Sequence, residues 1–304
     1  MKKTVSYLYV ILGAACWGFL GLFNRLLTEA GASLWTRVFI RNFFTLLLLT
    51  AVFALFRRQV FRIQRRHIPL FLGSGLLSVL CLAVVYFNCQ TLCSLAVAGT
   101  LLYLAPSFVV LLSALLWRAP LTRRKIICLL VSLLGCALVS GIIGGGDVKA
   151  PLAGVLLGVA AGFCYGTYTI FAHYGLQHYD SYTMIYWTFF VSGIGSLAFL
   201  RPHELAAVLS VPKGAWAAAG FVVIATVLPY ILYTKGLEGI DAGKASIIAN
   251  VEPVMEALVG VVVFHERLSL WTVAGVVCVL GSVVLLAGEK GASGDKKTAP
   301  AQRV

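Results

Sequence analysis

Ten long apolar segments dominate this sequence and restrict its fold more than any other feature. Each has about 20 residues with few charges, which is the length that an α-helix needs to cross the roughly 30 Å hydrocarbon core of a bilayer. The sequence therefore predicts an all-α integral membrane protein with ten transmembrane helices. The segments cover residues 5–27, 33–56, 68–92, 95–117, 124–142, 152–173, 181–200, 214–236, 242–264 and 269–288.

The composition excludes an ordinary soluble domain. Hydrophobic residues make up 60% of the 304 positions and charged residues only 12%, which is about half the charged fraction of a soluble protein. The first apolar segment is too long for the hydrophobic core of a signal peptide, so it is predicted to be an uncleaved membrane helix. The eight cysteines lie in apolar runs without metal-binding spacing, which predicts neither a structural disulfide nor a metal site.

The basic residues are distributed unevenly between alternate loops. With a cytoplasmic N-terminus, 17 of the 24 Lys and Arg residues lie on the cytoplasmic side, six lie outside, and Arg41 lies within the second segment. Basic residues concentrate in the cytoplasmic loops of membrane proteins. Both termini are therefore predicted to be cytoplasmic, in a multi-pass protein of the cell membrane. This topology explains the net charge of +13, and no nucleic-acid partner is predicted.

The two halves of the chain resemble each other. Pro106 and Pro253 are 147 residues apart, and so are Tyr86 and Tyr233. Because each half holds five predicted helices, the second half would enter the membrane with opposite polarity, which is the inverted repeat typical of alternating-access transporters. The predicted units are a first five-helix repeat, an extracytoplasmic linker, a second five-helix repeat and a disordered cytoplasmic tail, covering residues 1–143, 144–151, 152–288 and 289–304.

Matched prolines within two predicted helices indicate where a cavity would lie. Proline removes a helical hydrogen bond and kinks the helix, and interruptions at corresponding points of two repeats point to a transport site. Aromatic and amide side chains near helix centres suit the wall of such a cavity. For each aromatic residue taken singly, core packing or a belt at the membrane interface is the favoured interpretation; for the repeat pair Tyr86 and Tyr233, with Asn88 and Asn250 nearby, cavity lining is an equal alternative. The predicted cavity residues are Trp17, Tyr86, Asn88, Tyr103, Pro106, Tyr165, Tyr233, Asn250 and Pro253.

Two glutamates are the predicted coupling residues. Glu252 lies about ten residues from either end of its segment, hence at a depth of roughly 15 Å, where a charge costs about 2.5–3.5 kcal/mol. It could accept a proton or bind a cationic substrate amine, or it could pair with an Arg or Lys of another helix. Glu256 lies one turn further on the same face, and two carboxylates so close would favour sharing a proton.

Two further charges are assigned to structure. Arg41 lies about 12 Å into its segment from Ser33. It could bind a substrate carboxylate through two hydrogen bonds, or it could partner helix-end carbonyls or a glutamate; the structural role is favoured. Glu266, beside Arg267 at the outer end of the ninth segment, is predicted to pair or to cap the helix locally.

Several motifs resemble the EamA-type branch of the drug/metabolite transporter superfamily. They are Ala15-Cys16-Trp17-Gly18, Phe39-Ile40-Arg41, the run from Ala245 to Pro253, and His265-Glu266-Arg267-Leu268-Ser269. The resemblance covers about residues 5–288. It implies ten helices in two inverted repeats and secondary transport of small metabolites, often export of amino acids. The chain departs from the family pattern at His265, where glycine is usual, and at Ala105 and Ala119, which replace glutamates of the first repeat.

The preferred functional hypothesis is a secondary transporter that exports an amino acid or related compound, driven by protons. A passive facilitator or uptake carrier of the same fold is the alternative. An intramembrane enzyme or lipid-handling protein would need a catalytic cluster at one membrane face, and the five histidines are scattered. The Gly239–Ala245 stretch is one residue short of a phosphate-binding loop. No cofactor is predicted; a small-molecule substrate and the lipid bilayer are the expected partners, and a homodimer is compatible with the sequence.

Overall fold

A computed structural model describes residues 3–93, 95–139, 142–143, 151–264 and 269–287. Every regular element within these ranges is a helix, which confirms the all-α prediction. Eight of the described helices are long and apolar enough to cross a membrane, and a shorter apolar helix covers Leu270–Leu286. The ten-helix membrane topology stays a prediction. The linker at 144–150, Glu266 and the tail at 289–304 lie outside the described residues.

The helices are numbered here in chain order. All of them except α5, α8 and α11 are long enough and apolar enough to cross a membrane. The short helix α8 was not predicted from the sequence; it begins at Pro202, where a proline is well tolerated. The bounds are α1 Lys3–Glu29, α2 Leu34–Phe56, α3 Arg65–Leu92, α4 Val97–Trp117, α5 Arg123–Val139, α6 Leu152–Gly175, α7 Ser181–Phe199, α8 Pro202–Ser210, α9 Pro212–Leu237, α10 Ala242–Val263 and α11 Leu270–Ala287.

Helices α4 and α10 are broken rather than kinked. In α4 the helix stops at Leu102 and resumes over Ala105–Trp117. In α10 it stops at Ala249 and resumes over Glu252–Phe264. The two breaks are 147 residues apart. Each predicted proline therefore occupies the first turn of a new helix, where its missing N–H has no intrahelical partner to lose.

Two other helices share a second irregularity. Residues Gly73–Cys81 of α3 and Val223–Val227 of α9 adopt the wider π-helical turn. At the repeat offset of 147 residues, Val223–Val227 corresponds to residues 76–80, which lie within Gly73–Cys81. Such turns are rare and occur often at functional sites. The π-helical turns of α3 and α9 thus recur at the repeat spacing, whereas the π-helical turn of α2 at Ile40–Phe44 has no counterpart in α7.

The helices pack through small residues in antiparallel pairs. Gly13 of α1 lies against Pro229 of α9, and Gly236 of α9 lies against Ser6 of α1. Helix α6 packs along α3 in the same antiparallel manner, as do α5 with α11 and α2 with α7. Under the repeat correspondence, the pair α1–α9 is equivalent to the pair α6–α3. Glycine allows these helix axes to approach closely, as is common between membrane helices.

The antiparallel packing defines two ends of the bundle. The end that holds the start of α1 is called the N-terminal face, and it carries the ion pair of Arg57 with Asp180 at 3.5 Å. The other end is called the distal face, and it carries the ion pair of Lys213 with Glu29 at 2.6 Å. Each pair joins loops or helix ends that are distant in the sequence. Both pairs are exposed to solvent, so they mark the two ends of the bundle and add little to its stability.

Large apolar side chains cover the outside of the bundle. Leu130 of α5, Leu156 of α6, Val262 of α10 and Val277 of α11 are all at least 60% exposed. A water-soluble protein would not display so much contiguous apolar surface. This surface suits the hydrocarbon of a bilayer, and the chain is an integral multi-pass membrane protein.

Candidate binding cavity

A cleft of about 670 Å³ enters the bundle from the distal face, a size suited to a small metabolite. Its mouth carries the exposed side chains of Arg25 and Thr91. At its base it meets a narrower inner cavity of about 40 Å³. Tyr86, Phe87 and Glu256 line both spaces. The inner cavity is therefore the deep end of a cleft that opens on one side of the protein.

The two predicted coupling glutamates lie at this deep end. Glu252 is 6% exposed and is the first residue of the resumed helix Glu252–Phe264, whose positive N-terminal end stabilises a carboxylate. The hydroxyl of Tyr165 donates to Glu252 Oε2 at 2.7 Å. The hydroxyl of Tyr103 donates to Glu256 Oε2 at 3.1 Å. Within the described residues, neither carboxylate has a basic side chain within 4.0 Å.

An aromatic layer separates the glutamates from the N-terminal face. The Trp17 ring packs against the rings of Tyr165, Tyr230 and Tyr233, with centroids 5.8, 5.4 and 5.2 Å away. Trp17 is 3% exposed and the other rings are buried or half-buried. Edge-on packing of this kind favours a fixed arrangement of rings. The layer therefore closes the floor of the inner cavity.

Hydrogen bonds between α6 and α9 strengthen this closure. The hydroxyls of Tyr168 and Thr234 are 2.7 Å apart, and those of Thr169 and Tyr233 are 2.8 Å apart. All four side chains are buried, where a hydrogen bond satisfies polar groups that would otherwise be costly. The N-terminal face is thus closed by paired polar groups as well as by rings.

Arg41 lies in the wall of the inner cavity, in the π-helical segment of α2. It is 6% exposed, and its Nε atom has no hydrogen-bond partner. Within the described residues no carboxylate lies within 4.0 Å of its guanidinium. The structural role favoured for Arg41 from the sequence stays a prediction.

The structure gathers most of the predicted cavity residues. Trp17, Tyr86 and Tyr165 line the inner cavity, and Tyr103 and Pro253 line the outer cleft. A polar or aromatic residue near the centre of a segment was therefore a useful signal, because helix centres converge at the depth where both breaks occur.

The remaining predicted residues lie behind the wall. Asn88 donates to the carbonyl of Val84 in its own helix. Asn250 donates to the Ser132 hydroxyl at 2.7 Å and ties the α10 break to α5. Pro106 is buried and lies outside the lining of both spaces, and Tyr233 packs beneath Trp17.

Several lining residues were not selected from the sequence, among them Leu20, Ala83, Phe87, Arg37 and Gln90. They are ordinary residues in apolar or interfacial surroundings, and only the tertiary structure turns them towards the cleft. The repeat offset provided a usable signal for two of them. At an offset of 147 residues, Ala83 and Phe87 correspond to Tyr230 and Thr234, which belong to the closed layer, and Tyr230 also lines the inner cavity.

Comparison with known proteins identifies relatives over nearly the whole chain. The sequence profile of the EamA-like transporter family matches residues 4–141 and 152–288. A protein of Archaeoglobus fulgidus described as an uncharacterized transporter is 28% identical over 281 residues, covering 91% of this chain and 94% of that protein. The uncharacterized transporter YwfM of Bacillus subtilis is 26% identical over 295 residues, covering 95% and 96%.

A known crystal structure shares the fold. It matches with a TM-score of 0.74 at 19% sequence identity, and the match covers 93% of this chain and 96% of the other. The resemblance predicted from the sequence motifs is confirmed by the family match, which includes both halves of the chain.

Proposed function

Because the chain belongs to the EamA-like transporter family, we propose that it is a secondary transporter that moves a small metabolite across the cell membrane by alternating access. Export of an amino acid or related compound, driven by protons, is the specific form of this proposal. No catalytic role is assigned. Passive facilitation or uptake through the same cleft is the second candidate function. The size of the cleft and its opening on one side fit this function as well as they fit export.

One observation carries the proposal. A cleft open to the distal face ends at the buried carboxylate of Glu252 and the half-buried carboxylate of Glu256. An aromatic layer beneath them closes the path to the N-terminal face. An open channel would lack such a floor, and a ligand-binding protein would have no need of ionisable groups at the centre of a membrane bundle. A site that faces one side at a time is what alternating access requires.

The repeat supports a second, oppositely open state. We propose ten membrane helices in two inverted five-helix repeats, with both termini in the cytoplasm. Phe87 lines the open space, whereas its counterpart at the 147-residue offset, Thr234, is hydrogen-bonded to Tyr168 in the closed layer. If the two repeats exchanged conformations, the open and closed sides would exchange as well. The distal face would close, and the N-terminal face would open onto the same glutamates.

The glutamates give the cycle a proton step. Glu252 and Glu256 each accept one tyrosine hydroxyl, which leaves further oxygen lone pairs for water, a proton or a substrate ammonium group. Close carboxylates at one site resist being ionised together. A proton and a substrate would then compete for the same groups. Substrate bound from one side would displace the proton to that side, and a proton bound from the other side would displace the substrate there, which is the requirement for antiport.

Reconstitution into proteoliposomes tests this function. Each vesicle preparation receives a panel of labelled amino acids and amines, with and without an imposed pH gradient, beside protein-free vesicles. Proton-coupled transport predicts accumulation that depends on the gradient and is abolished by a protonophore. Equilibration that ignores the gradient would indicate the passive facilitator, and no flux for any member of the panel would contradict the proposed substrate class.

A further inference from the structure

We propose, on the basis of the transport function above, that Arg41 is the binding group for a carboxylate of the transported molecule. The site is the part of the inner cavity where the guanidinium of Arg41 shares the wall with Glu252 and Tyr86. A carboxylate that arrives from the distal face would accept hydrogen bonds from Arg41 at the base of the cleft.

The hydrogen bonding of Arg41 is incomplete in this structure. A guanidinium has five N–H donors in a planar fork, and the Nε atom of Arg41 is buried without a partner. Leaving a buried donor unsatisfied costs about 1–3 kcal/mol. A bound carboxylate would satisfy two of the donors at once, in the geometry that arginine binds best. The unsatisfied N–H donor of Arg41 therefore matches the acceptor oxygens that a carboxylate ligand would supply.

The neighbouring arginine differs in this respect. Arg37 lies one helical turn nearer the distal face and lines the outer cleft. Its side chain is already held by the Asn24 Oδ1 atom at 2.8 Å and the Ser33 carbonyl at 3.3 Å, and it lies over the Phe87 ring. Arg37 is thus fixed as part of the wall, whereas Arg41 retains a free donor at the deep end.

The charge along the cleft favours the approach of an anion. Arg37 lies midway along the cleft and Arg41 at the base, while Arg25 at the mouth is ion-paired with Glu29 at 3.4 Å. Glu256 is the acidic residue in the outer lining, and it lies at the bottom. Like charges along a cleft with low-dielectric walls concentrate ligands of the opposite charge. The cleft would therefore draw an anionic group inwards and leave it beside Arg41.

The inner cavity suits a monoanion better than a phosphate. One guanidinium lines it together with two carboxyl groups. A phosphate ester, with a charge close to −2 at neutral pH, would face one cation and at least one acid. A carboxylate would be neutralised by Arg41 alone, and a cationic group on the same molecule would still find Glu252 and Glu256. We therefore assign the site to carboxylates.

The test compares ligands and variants in the purified full-length protein. Thermal stabilisation is measured with the common amino acids, with their carboxamides, with the matching amines and with phosphoethanolamine, which has a phosphate but no carboxylate. The variants are Arg41→Gln, which removes the charge, and Arg41→Lys, which keeps the charge but not the fork. Arg201→Gln, on the distal face outside the cleft lining, is the matched control. Size-exclusion profiles report whether each variant is folded.

Amino acids with a free carboxylate should stabilise the wild type and the Arg201→Gln control, while carboxamides and amines should not. Arg41→Gln should weaken carboxylate binding at least tenfold, and Arg41→Lys should weaken it by a smaller factor. The inference is overturned by equal carboxylate binding in Arg41→Gln, by no carboxylate binding in the wild type, or by stronger binding of carboxamides or of the phosphate. Flux in proteoliposomes is scored separately, so failure of the site and failure of the transport function are distinguishable.

Discussion

The ammonium group of Lys125 lies 2.7 Å from the Oδ1 atom of Asp241 and joins α5 to the residue that caps α10 on the N-terminal face. The two partners differ in solvation, because the Lys125 side chain is 5% exposed and the Asp241 side chain 35%. The pair lies on the same side of the aromatic layer as the closed end of the cavity. It therefore reinforces the closed state of that face.

This asymmetry predicts unequal effects of the two single substitutions. Asp241→Asn keeps the helix cap, since asparagine caps as well as aspartate, but strands a buried ammonium group. It should lower stability by roughly 3 kcal/mol, measured by thermal unfolding in detergent. Lys125→Met leaves a carboxylate that water can reach and should cost about 1 kcal/mol or less. The double variant that combines Asp241→Asn with Lys125→Met has no buried ammonium group, so it should be at least as stable as Asp241→Asn alone. A lower stability would show that the stranded charge is not the cause of the loss.

Glu252→Gln is predicted to uncouple transport from the pH gradient. The amide keeps the size of the side chain and can still accept from Tyr165, but it cannot carry a proton through the cycle. Accumulation driven by an imposed gradient should be abolished, while exchange of labelled for unlabelled substrate persists. The matched control is Glu238→Gln at an exposed position. Wild-type gradient-driven flux in Glu252→Gln would make Glu252 a structural residue.

Cysteine labelling is predicted to distinguish the two faces. Arg62, between α2 and α3, lies on the N-terminal face, and His203 of α8 lies on the distal face; both are exposed. In intact cells, a membrane-impermeant maleimide should label His203→Cys and leave Arg62→Cys unmodified until the cells are permeabilised. The unsubstituted protein gives the background from its own thiols. The reverse pattern would place the termini outside and invert the proposed direction of the cleft.

Gly18→Ala is predicted to disturb the centre of the bundle. Helix α1 is interrupted between Trp17 and Leu20, and Gly18 lies in this interruption. A Cβ there would collide with the Met255 Cβ and lie 3.1 Å from the Glu252 carbonyl oxygen. Overpacking of this kind costs about 1–3 kcal/mol, so thermal stability should fall. Gly281→Ala is the matched control, because its Cβ would meet nothing within 4 Å. Equal behaviour of the two variants would show that α1 and α10 are not in close contact here.

Glu204 is predicted to make stability depend on pH at the distal face. Partial burial alone would raise the pKa of Glu204, but hydrogen bonds from Ser33 at the start of α2 outweigh it and lower that pKa. Because the pKa of Glu204 is lower in the folded state than in the unfolded state, its ionised carboxylate stabilises the folded protein at a pH above the unfolded-state pKa. This stabilisation is lost as the pH falls through the folded-state pKa. Glu204→Gln should therefore lower the melting temperature at pH 7.

The same comparison in acid provides the control for Glu204. Below the folded pKa the wild-type carboxyl is protonated, and the difference between wild type and Glu204→Gln should shrink towards zero. Arg201→Gln, which removes only the exposed partner at 3.9 Å, should have a small effect throughout. A difference that is independent of pH would assign the role of Glu204 to packing rather than to charge.

Most of the helices, and the position of the cavity, could be predicted from the sequence. Hydrophobic segments long enough for a bilayer fix where helices form, because backbone groups in hydrocarbon must hydrogen-bond within the segment. The matched prolines located the level of the breaks, and Glu252 and Glu256, the acidic residues of an apolar run, marked the deep end of the cleft. These are local signals, readable without knowing which helices are neighbours.

The tertiary structure alone decided how these groups are connected. Tyr103 and Glu256 are 153 residues apart, and no spacing rule links them. Arg37 and Arg41 differ by one turn of the same helix, yet one is held by Asn24 and the other has a free donor. Which side of the cleft is open likewise depends on packing between α6 and α9. Hydropathy determines how deep each residue lies in the membrane. The hydrogen-bond partners of a side chain, and the face to which the cleft opens, follow from helix contacts between residues far apart in the chain.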